Sequence, residues 1–495
     1  MRNSINAVLK TDGPWADTPE QVAKPFTDFY RGMLGTKAQE RIQVDKGVIG
    51  QGKILEASQH SLLNCNFIDD EIRGANFSIP SSKAPRIDGY NSAFYKGAWE
   101  VVGNVVCKVV QEFFSNGKLL SEINVTIISL ILKVPVHAGP RDYKPIAYCN
   151  VIYKCITKLL CKRLSKVLPD NISFNQGAFI SGRNIMHNVL ICQDLVKMHS
   201  SYQKQPCFML KLDTRKAYDT VEWDFLEETM IGLNFPHPFI QLVMTCVRTL
   251  KFCLLINGSP TELFTPQRGL RQGDPLSPLI FTLCMEYYSR ILQKVGCLEG
   301  FKFHTRYRSL KLNHLAFADD ILIFSRGEVE STYMLLSGVH IFSDTTGLHV
   351  NAKKSKVYYA GMKEEEVSTI KRISSFKTGM LLSRYPNVPL SHAKLKVSDC
   401  DMMIDKMCAR IKTWKSRNIS YAGRLQLINS VLMSICTYWS QIFTLPIKVT
   451  QKIDSICRHF LWNGHYMSSK PGLVNWDKVC MPNQVRGLDI RNLEN

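Results

Sequence analysis

Among sixteen cysteines there is no C-x-x-C pair, and nowhere does a Cys/His cluster stand at zinc-ligand spacing. That excludes zinc modules and thioredoxin-type redox motifs, and leaves the thiols as small core residues of a protein kept in a reducing compartment. Internal repeats and low-complexity blocks are also missing, which excludes solenoid and fibrous architectures. Residues 1–10 lack a signal-peptide core, being interrupted by Arg2, Asn3 and Asn6. Long apolar runs are scarce too. The one extended uncharged stretch, Leu425 to Ile447, is punctuated by Asn429, Ser430, Ser434, Ser440, Gln441 and Pro446, so no membrane span is expected. Acidic residues are in deficit: 42 Asp and Glu against 62 Lys and Arg leave a net charge of +20. Such an excess suits a polyanionic partner, most simply nucleic acid, the alternative being an inert basic surface.

With 495 residues, 45% of them hydrophobic, the chain can build a real core divided over several lobes. Residues 1–124 mix short helical patterns with Gly/Pro breaks and read as a helical lead-in. "VTIISLILKV", residues 125 to 134, is apolar and β-branched, which predicts a buried strand closed by Pro135. "NVIYKCITKLLCKRLSKVLPD" predicts a helix with Ile152, Ile156, Leu160 and Leu164 along one stripe and Lys154, Lys158, Lys162 and Lys166 along another. Like charges four residues apart weaken an isolated helix by about 0.2–0.5 kcal/mol per pair. Phosphates laid along the stripe would relieve that repulsion, unless it is simply a solvated face. "CFMLKLD", residues 207 to 213, reads as a strand, followed by a helix from about Thr220 to Leu233. Asn257-Gly258 centres a hairpin, Ser277 as N-cap and Pro278 open a further helix, and a helix from about Val329 stops at Gly347. From Ser391 onward the pattern is mostly helical, with 15 basic against 7 acidic side chains.

The chemistry lies in the carboxylates. "LNHLAFADDILIF" holds Asp319 and Asp320 inside an apolar run. Mid-strand, one of the two would point to each face and one would be buried unpaired at several kcal/mol. If "HLAF" and "ILIF" pair as antiparallel strands, both sit at the connecting turn, free to share a divalent cation; an ordinary Asp-rich turn is the plainer alternative. Asp213 ends another predicted strand. Three carboxylates of this kind can hold two hard cations about 3.5–4 Å apart, the arrangement for in-line phosphoryl transfer. Asp219 begins "DTVE", with Glu222 three residues on, and is expected to cap the following helix rather than serve as a fourth ligand. "QRGLRQGDPLSP" adds Gly269 and Gly273, which permit close backbone approach, and Gln272, an amide suited to a nucleotide.

Taken together these segments resemble the reverse transcriptase family, and within it the non-LTR retrotransposons of plants, the long interspersed element type. "LKLDTRKAYDTVEWDF", "GLRQGDPLSPLIF", "FADD" and "GLHVNAKKSK" are similar to the four palm motifs in order, and "ISLILKV" with "RDYKPIAYCNVIYK" to the fingers segment. "NQGAFISGRN" is similar to the segment that follows the fingers, and "SYAGRLQLINSVL" to the plant thumb. The resemblance implies an α+β right-hand polymerase with an antiparallel palm sheet packed on helices and a helical thumb. Its lobes divide as lead-in 1–124, fingers 125–206, palm 207–390, thumb 391–465, and the start of a C-terminal segment 466–495. It implies that Asp213, Asp319 and Asp320 hold two Mg²⁺ ions, with Mn²⁺ as the substitute, and that Tyr218 excludes a 2′-hydroxyl. Gln272, Lys133 and Lys144 would contact the incoming deoxynucleotide. Lys354, rather than its neighbour Lys353, would protonate the leaving pyrophosphate, while Lys154, Lys158, Lys162 and Lys166 track the nucleic-acid backbone. The partners implied are an RNA template, a DNA primer and dNTPs, in nucleus and cytoplasm and away from membranes.

Three departures stand out. Lys144 replaces the family's arginine and loses its bidentate geometry. "KAPRIDGY" alters a Pro-Gly-Pro-Asp-Gly turn. "RYPNVPLS" puts Pro386 and Asn387 where the primer-grip pattern has Leu and Gly, removing a donor and a flexible residue from a hairpin. The plant elements carry an endonuclease upstream and a Cys/His-rich segment downstream, so the chain is expected to be part of a longer protein. The leading expectation is an active polymerase; the alternative is an impaired remnant that binds nucleic acid only. Group II intron maturases and telomerases share the palm but not the plant-type thumb, and Tyr218 speaks against a viral polymerase that makes RNA.

Overall fold

The structure is a computed structural model. It describes residues 4–5, 7–9, 13, 15–16, 18–81, 88–133, 139–199, 205–379, 384–385, 388–390, 395–414, 419–467 and 474–490. Two compact units make up the chain: Met1–Asn184 with Gln205–Gly379, and Ile185–Lys204 with Met380–Asn495.

The strands of the first unit used below are, in chain order, β1 (Val125–Leu132), β2 (Tyr143–Cys149), β3 (Cys207–Leu212), β4 (Lys251–Ile256) and β5 (Ser259–Pro260), then β6 (His314–Phe317), β7 (Asp320–Arg326), β8 (Lys356–Ala360) and β9 (Lys377–Thr378). Its helices are α1 (Pro19–Leu34), α2 (Asp69–Phe77), α3 (Val151–Asn171), α4 (Ala217–Thr220), α5 (Trp223–Gly232), α6 (Ser277–Gly296) and α7 (Val329–Thr346).

Two sheets result. The larger has the order β9-β8-β3-β7-β6, antiparallel throughout except for the parallel β8–β9 edge. Its central strand β3, "CFMLKL", is buried at every position but Lys211, which is why that segment lacks the alternation of a half-exposed strand. The second sheet has the order β2-β1-β4-β5 and joins 125–149 to 251–260, β1 running parallel to β4. Helix α1 covers this sheet with Val22, Phe26, Tyr30 and Leu34, four buried residues at four-residue spacing that meet Ile128, Leu130, Phe252 and Leu254. The β4–β5 turn is Asn257-Gly258, both with positive φ (51° and 88°), as a two-residue hairpin of matching twist requires.

Helix α6 runs through the main core and is buried along nearly its whole length. Its first residue is Ser277; the cap is Leu276, whose N–H donates to the Asp274 carboxylate (3.1 Å), so the expected Ser277 cap is displaced by one position. Within α6, Glu286 and Arg290 form a buried ion pair (2.8 Å). Glu286 also accepts from the Ser173 N–H and hydroxyl (2.7 Å each). Arg290 donates to the carbonyls of Ile49, Lys53 and Asn171, so the pair ties the N-terminal segment and the end of α3 to the core.

Helix α3 differs from the amphipathic helix expected: Val151, Tyr153, Cys155, Thr157, Leu159 and Arg163 are buried in addition to the Ile156, Leu160 and Leu164 stripe. Its lysines are not a bare face either. Lys158 donates to the Ser78 hydroxyl (2.8 Å), and Lys162 pairs with Glu71 of α2 (3.0 Å), so acidic and polar groups of this chain relieve the repulsion that sequence left to phosphate. Lys166 is exposed.

The second unit is helical, with a core of Met403, Ile404, Met407 and Ile411 from Asp401–Thr413 packed with Val449, Ile453, Cys457 and Phe460 from Ile447–Asn463. All sixteen cysteines are free thiols, most of them buried. Among the described residues no helix is long and apolar enough to cross a membrane.

Candidate active site

Strand β6 turns into β7 through Ala318 and Asp319, with Phe317 paired to Asp320. Asp319 is thus in the turn and Asp320 opens β7. Strand β3 lies on the other side of β7 in a ladder running from Cys207↔Arg326 to Leu212↔Ile321. Asp213 is the next residue, one step past the ladder on the side of Asp320. Its backbone N–H donates to Ser355 Oγ (3.1 Å), and one carboxylate oxygen accepts from the Asn351 amide (3.0 Å).

Electrostatics link the three. Loss of hydration in the concave site pushes the Asp319 carboxyl above the usual range, its own backbone N–H counters this, and Asp213 adds to the rise. Burial likewise raises Asp320, Lys211 opposes, and Asp319 and Asp213 both add. Asp319 is exposed by area yet desolvated by the walls around it. Lys211 reaches Asp320 only at 4.0 Å. Among the described residues no three His, Cys, Asp or Glu side chains are gathered tightly enough to hold an ion as they stand.

Beside them is a cleft of about 540 Å³ lined by Asp319, Tyr218, Gln272, Lys144, Lys216 and Gly273 among others. Tyr218 stacks on Phe281 of α6 (centroids 4.6 Å apart, planes at 17°), which fixes its ring as one wall. The segment 269–272 zips onto the 218–222 segment. Gly269 N–H donates to Val221 O (2.8 Å), and Leu270 N–H to Tyr218 O (2.6 Å). Only glycine fits at 269: φ is +91°, and a Cβ would stand 2.6 Å from Asp219 O.

That zipper corrects the expectation for Asp219. It caps nothing: the helical turn α4 ends at Thr220, Val221 after it is extended, and Glu222 is the cap residue of α5. Asp219 is instead buried and accepts from the Gln272 amide (2.9 Å). Burial raises its pKa, while Lys216, Gln272 and Lys133 oppose. The local "DTVE" pattern misled because the expected box partner Glu222 is itself buried against Ala38 N–H (3.2 Å) and Arg268 (3.4 Å).

Two groups escaped the sequence reading although each lay inside a quoted motif. Asn351 holds Asp213, as above. Lys216 lines the cleft with its ammonium 4.1 Å from the Phe29 ring centroid. Desolvation lowers its pKa to about 8; Asp219 opposes, and Lys133 and Arg141 lower it further. Of the expected basic residues, Lys144 is exposed on β2 and lines the cleft. Lys133 is exposed just past β1 with its ammonium on Arg141 O (3.4 Å). Lys354 and Lys353 are both exposed in the turn after Asn351, outside the cleft lining. Pro386, Asn387 and residues 83–87 of the altered turn lie outside the described residues.

Comparison with known proteins agrees with this geometry. The family described as "Reverse transcriptase (RNA-dependent DNA polymerase)" matches residues 131–423. The uncharacterized 149 kDa protein of transposon TX1 from Xenopus laevis is 25% identical over 510 residues, covering 100% of this chain and 38% of that protein. The retrovirus-related Pol polyprotein from the type-2 retrotransposable element R2DM of Drosophila melanogaster is 27% identical over 314 residues, 63% of this chain and 28% of that protein. An uncharacterized mitochondrial protein of Arabidopsis thaliana is 52% identical over 69 residues, 13% of this chain and 55% of that protein. The chain therefore spans well under half the length of the two transposon relatives. With a family match over more than half its residues and this sheet, cleft and set of carboxylates, the chain belongs to the reverse transcriptase family, as the reverse transcriptase domain of a LINE-type, non-LTR retroelement.

Proposed function

We propose that this chain catalyses RNA-templated DNA synthesis, joining deoxynucleotides to a primer 3′-hydroxyl. The observation that carries the reading is the meeting of Asp213, Asp319 and Asp320 at one end of β3 and β7, beside the cleft that Asp319 shares with Tyr218 and Gln272.

The donor set fits hard divalent cations: oxygen ligands only, two of them with proton affinities raised by desolvation and mutual repulsion. Magnesium or manganese bound there supplies a more acidic primer hydroxyl and charge to steady the triphosphate. The chain's own residues do the rest. Asn351 and Ser355 orient Asp213. The Tyr218 ring, braced by Phe281, crowds the space beneath the sugar and selects against a 2′-hydroxyl. Asp219 holds the Gln272 amide in place beside the nucleotide. Lys144, Lys133 and Lys216 give the triphosphate a cationic wall, Lys354 is the proton donor for pyrophosphate, and the nucleic-acid backbone would be met by Lys154, Lys158, Lys162 and Lys166, two of which would exchange their contacts with Ser78 and Glu71 for phosphate. A plant origin is supported by the short 52% match to the Arabidopsis protein. Sixteen free thiols suit nucleus and cytoplasm.

The test is primer extension. The purified chain, given a DNA primer on an RNA template with dNTPs and Mg²⁺, is expected to extend the primer, and Asp319→Ala to abolish extension. A chain that binds primer–template tightly without extending it would instead be the remnant that the sequence at Pro386 and Asn387 suggests; extension regained by Pro386→Leu with Asn387→Gly would then locate the defect.

A further inference from the structure

The turn that carries Asp319 is unusual in one respect. Ala318, the residue before it, has a φ of +54°, a conformation that a β-carbon disfavours. Something outside the hairpin must hold it. The loop 173–178 provides it, lying along β6, the edge strand of the sheet. Ala316 N–H donates to Asn175 O (2.9 Å), and Gly177 N–H to Ala316 O (2.9 Å). Between them the Gln176 side chain, fully buried, turns its carbonyl oxygen to the Ala318 N–H (3.0 Å) and to the Ala178 N–H (3.0 Å).

The other end of that amide, Nε2, is buried without a hydrogen-bond partner among the described residues. A buried glutamine with its donor unused is unfavourable on its own account. Its acceptor is what this site uses. The loop is braced so that the carbonyl cannot wander: Arg183 donates to the carbonyls of Pro169 (3.1 Å), Ile172 (2.6 Å), Ser173 (2.6 Å) and Gln176 (2.8 Å).

We propose that Gln176 is a positioning residue for the reaction: by accepting the Ala318 N–H it holds the left-handed turn that presents Asp319. The inference rests on the reading of Asp319 as a metal-holding carboxylate. Its core, the clamp on Ala318, is separately measurable.

Three variants and one measurement on the unaltered chain decide it. In the wild-type chain, amide-resolved hydrogen exchange is expected to show the Ala318 N–H protected like a strand amide, and Gln176→Leu to remove that protection. Primer extension by Gln176→Leu falls about ten- to a hundredfold in kcat, with a higher Mg²⁺ requirement and a nearly unchanged KM for dNTP. Ala318→Gly alone is close to wild type. The double variant Gln176→Leu/Ala318→Gly recovers most of the lost kcat, because glycine adopts the turn unaided, although its 318 amide still exchanges fast. A merely structural role for Gln176 would not be rescued by glycine at 318. An unprotected Ala318 amide in the wild type, or a double variant as impaired as Gln176→Leu, would overturn the proposal. Should the wild type fail to extend primers, the reading of the site falls while the exchange experiment still decides the clamp.

Discussion

Asp213 and Asp320 close the same antiparallel ladder: pairing runs from Cys207↔Arg326 to Leu212↔Ile321, and one more step along each strand reaches this pair. About a hundred residues of intervening chain are cancelled by a register. Replacing either carboxylate by alanine is expected to lower primer extension at least about a hundredfold with the fold intact, measured by single-turnover extension beside circular dichroism.

The same arrangement costs stability when no cation is bound. Asp319 and Asp320 have pKa values raised by desolvation, so the folded chain holds their protons more tightly than the unfolded one. Their contribution is therefore fully present below the ordinary carboxylate pKa and is lost as pH rises through the raised values. Asp319→Asn, which cannot ionise, is expected to melt higher than wild type at pH 7 in metal-free buffer while being inactive. Calorimetry showing a lower melting point for this variant would count against the repulsion described.

Lys216 sets a second pH dependence. Its pKa is lowered to about 8 by desolvation, with Lys133 and Arg141 adding and Asp219 opposing. The unfolded chain keeps this proton longer, so the stability penalty is complete below about pH 8 and fades as pH rises toward the ordinary lysine value. Function runs the other way. Nucleotide binding should weaken as the ammonium deprotonates, with the KM for dNTP rising about tenfold between roughly pH 7 and 9, and Lys216→Met should show the high KM throughout with no inflection.

Tyr218 tests the sugar gate. The ring stacked on Phe281 leaves a wall that alanine would remove. Tyr218→Ala is expected to improve ribonucleotide use relative to deoxynucleotide by about 10- to 200-fold, read from competing incorporation on one template. Equal discrimination in both proteins would move the gate elsewhere.

Ion pairs of different burial should behave differently. Glu286→Ala strands the buried Arg290 and is expected to destabilise the first unit by about 3–5 kcal/mol. Lys294→Ala, which breaks an exposed pair with Asp45, should change stability by under about 1 kcal/mol in the same urea titration.

Much of this was written locally. The Asn257-Gly258 turn, the hairpin at Asp319 and the Gly347 stop of α7 (φ +75°) follow from short-range backbone chemistry and stand where the residues predict, except that Asp320 opens β7 instead of sharing the turn. Four motifs in order were enough to name the family. What short stretches could not contain was partnership across the chain. Asp219 has the local grammar of a helix cap, yet the zipper between 218–222 and 269–272 delivers Gln272 to it. The α3 lysines look like a bare stripe until α2 brings Glu71. Gln176 carries no signal of its own until the loop folds along β6. Sequence alone determined which residues could do the chemistry, because side-chain type and backbone preference belong to the residue. Only tertiary structure decided which of them meet, because a buried polar or charged group takes whichever partner the packing leaves beside it, regardless of distance along the chain.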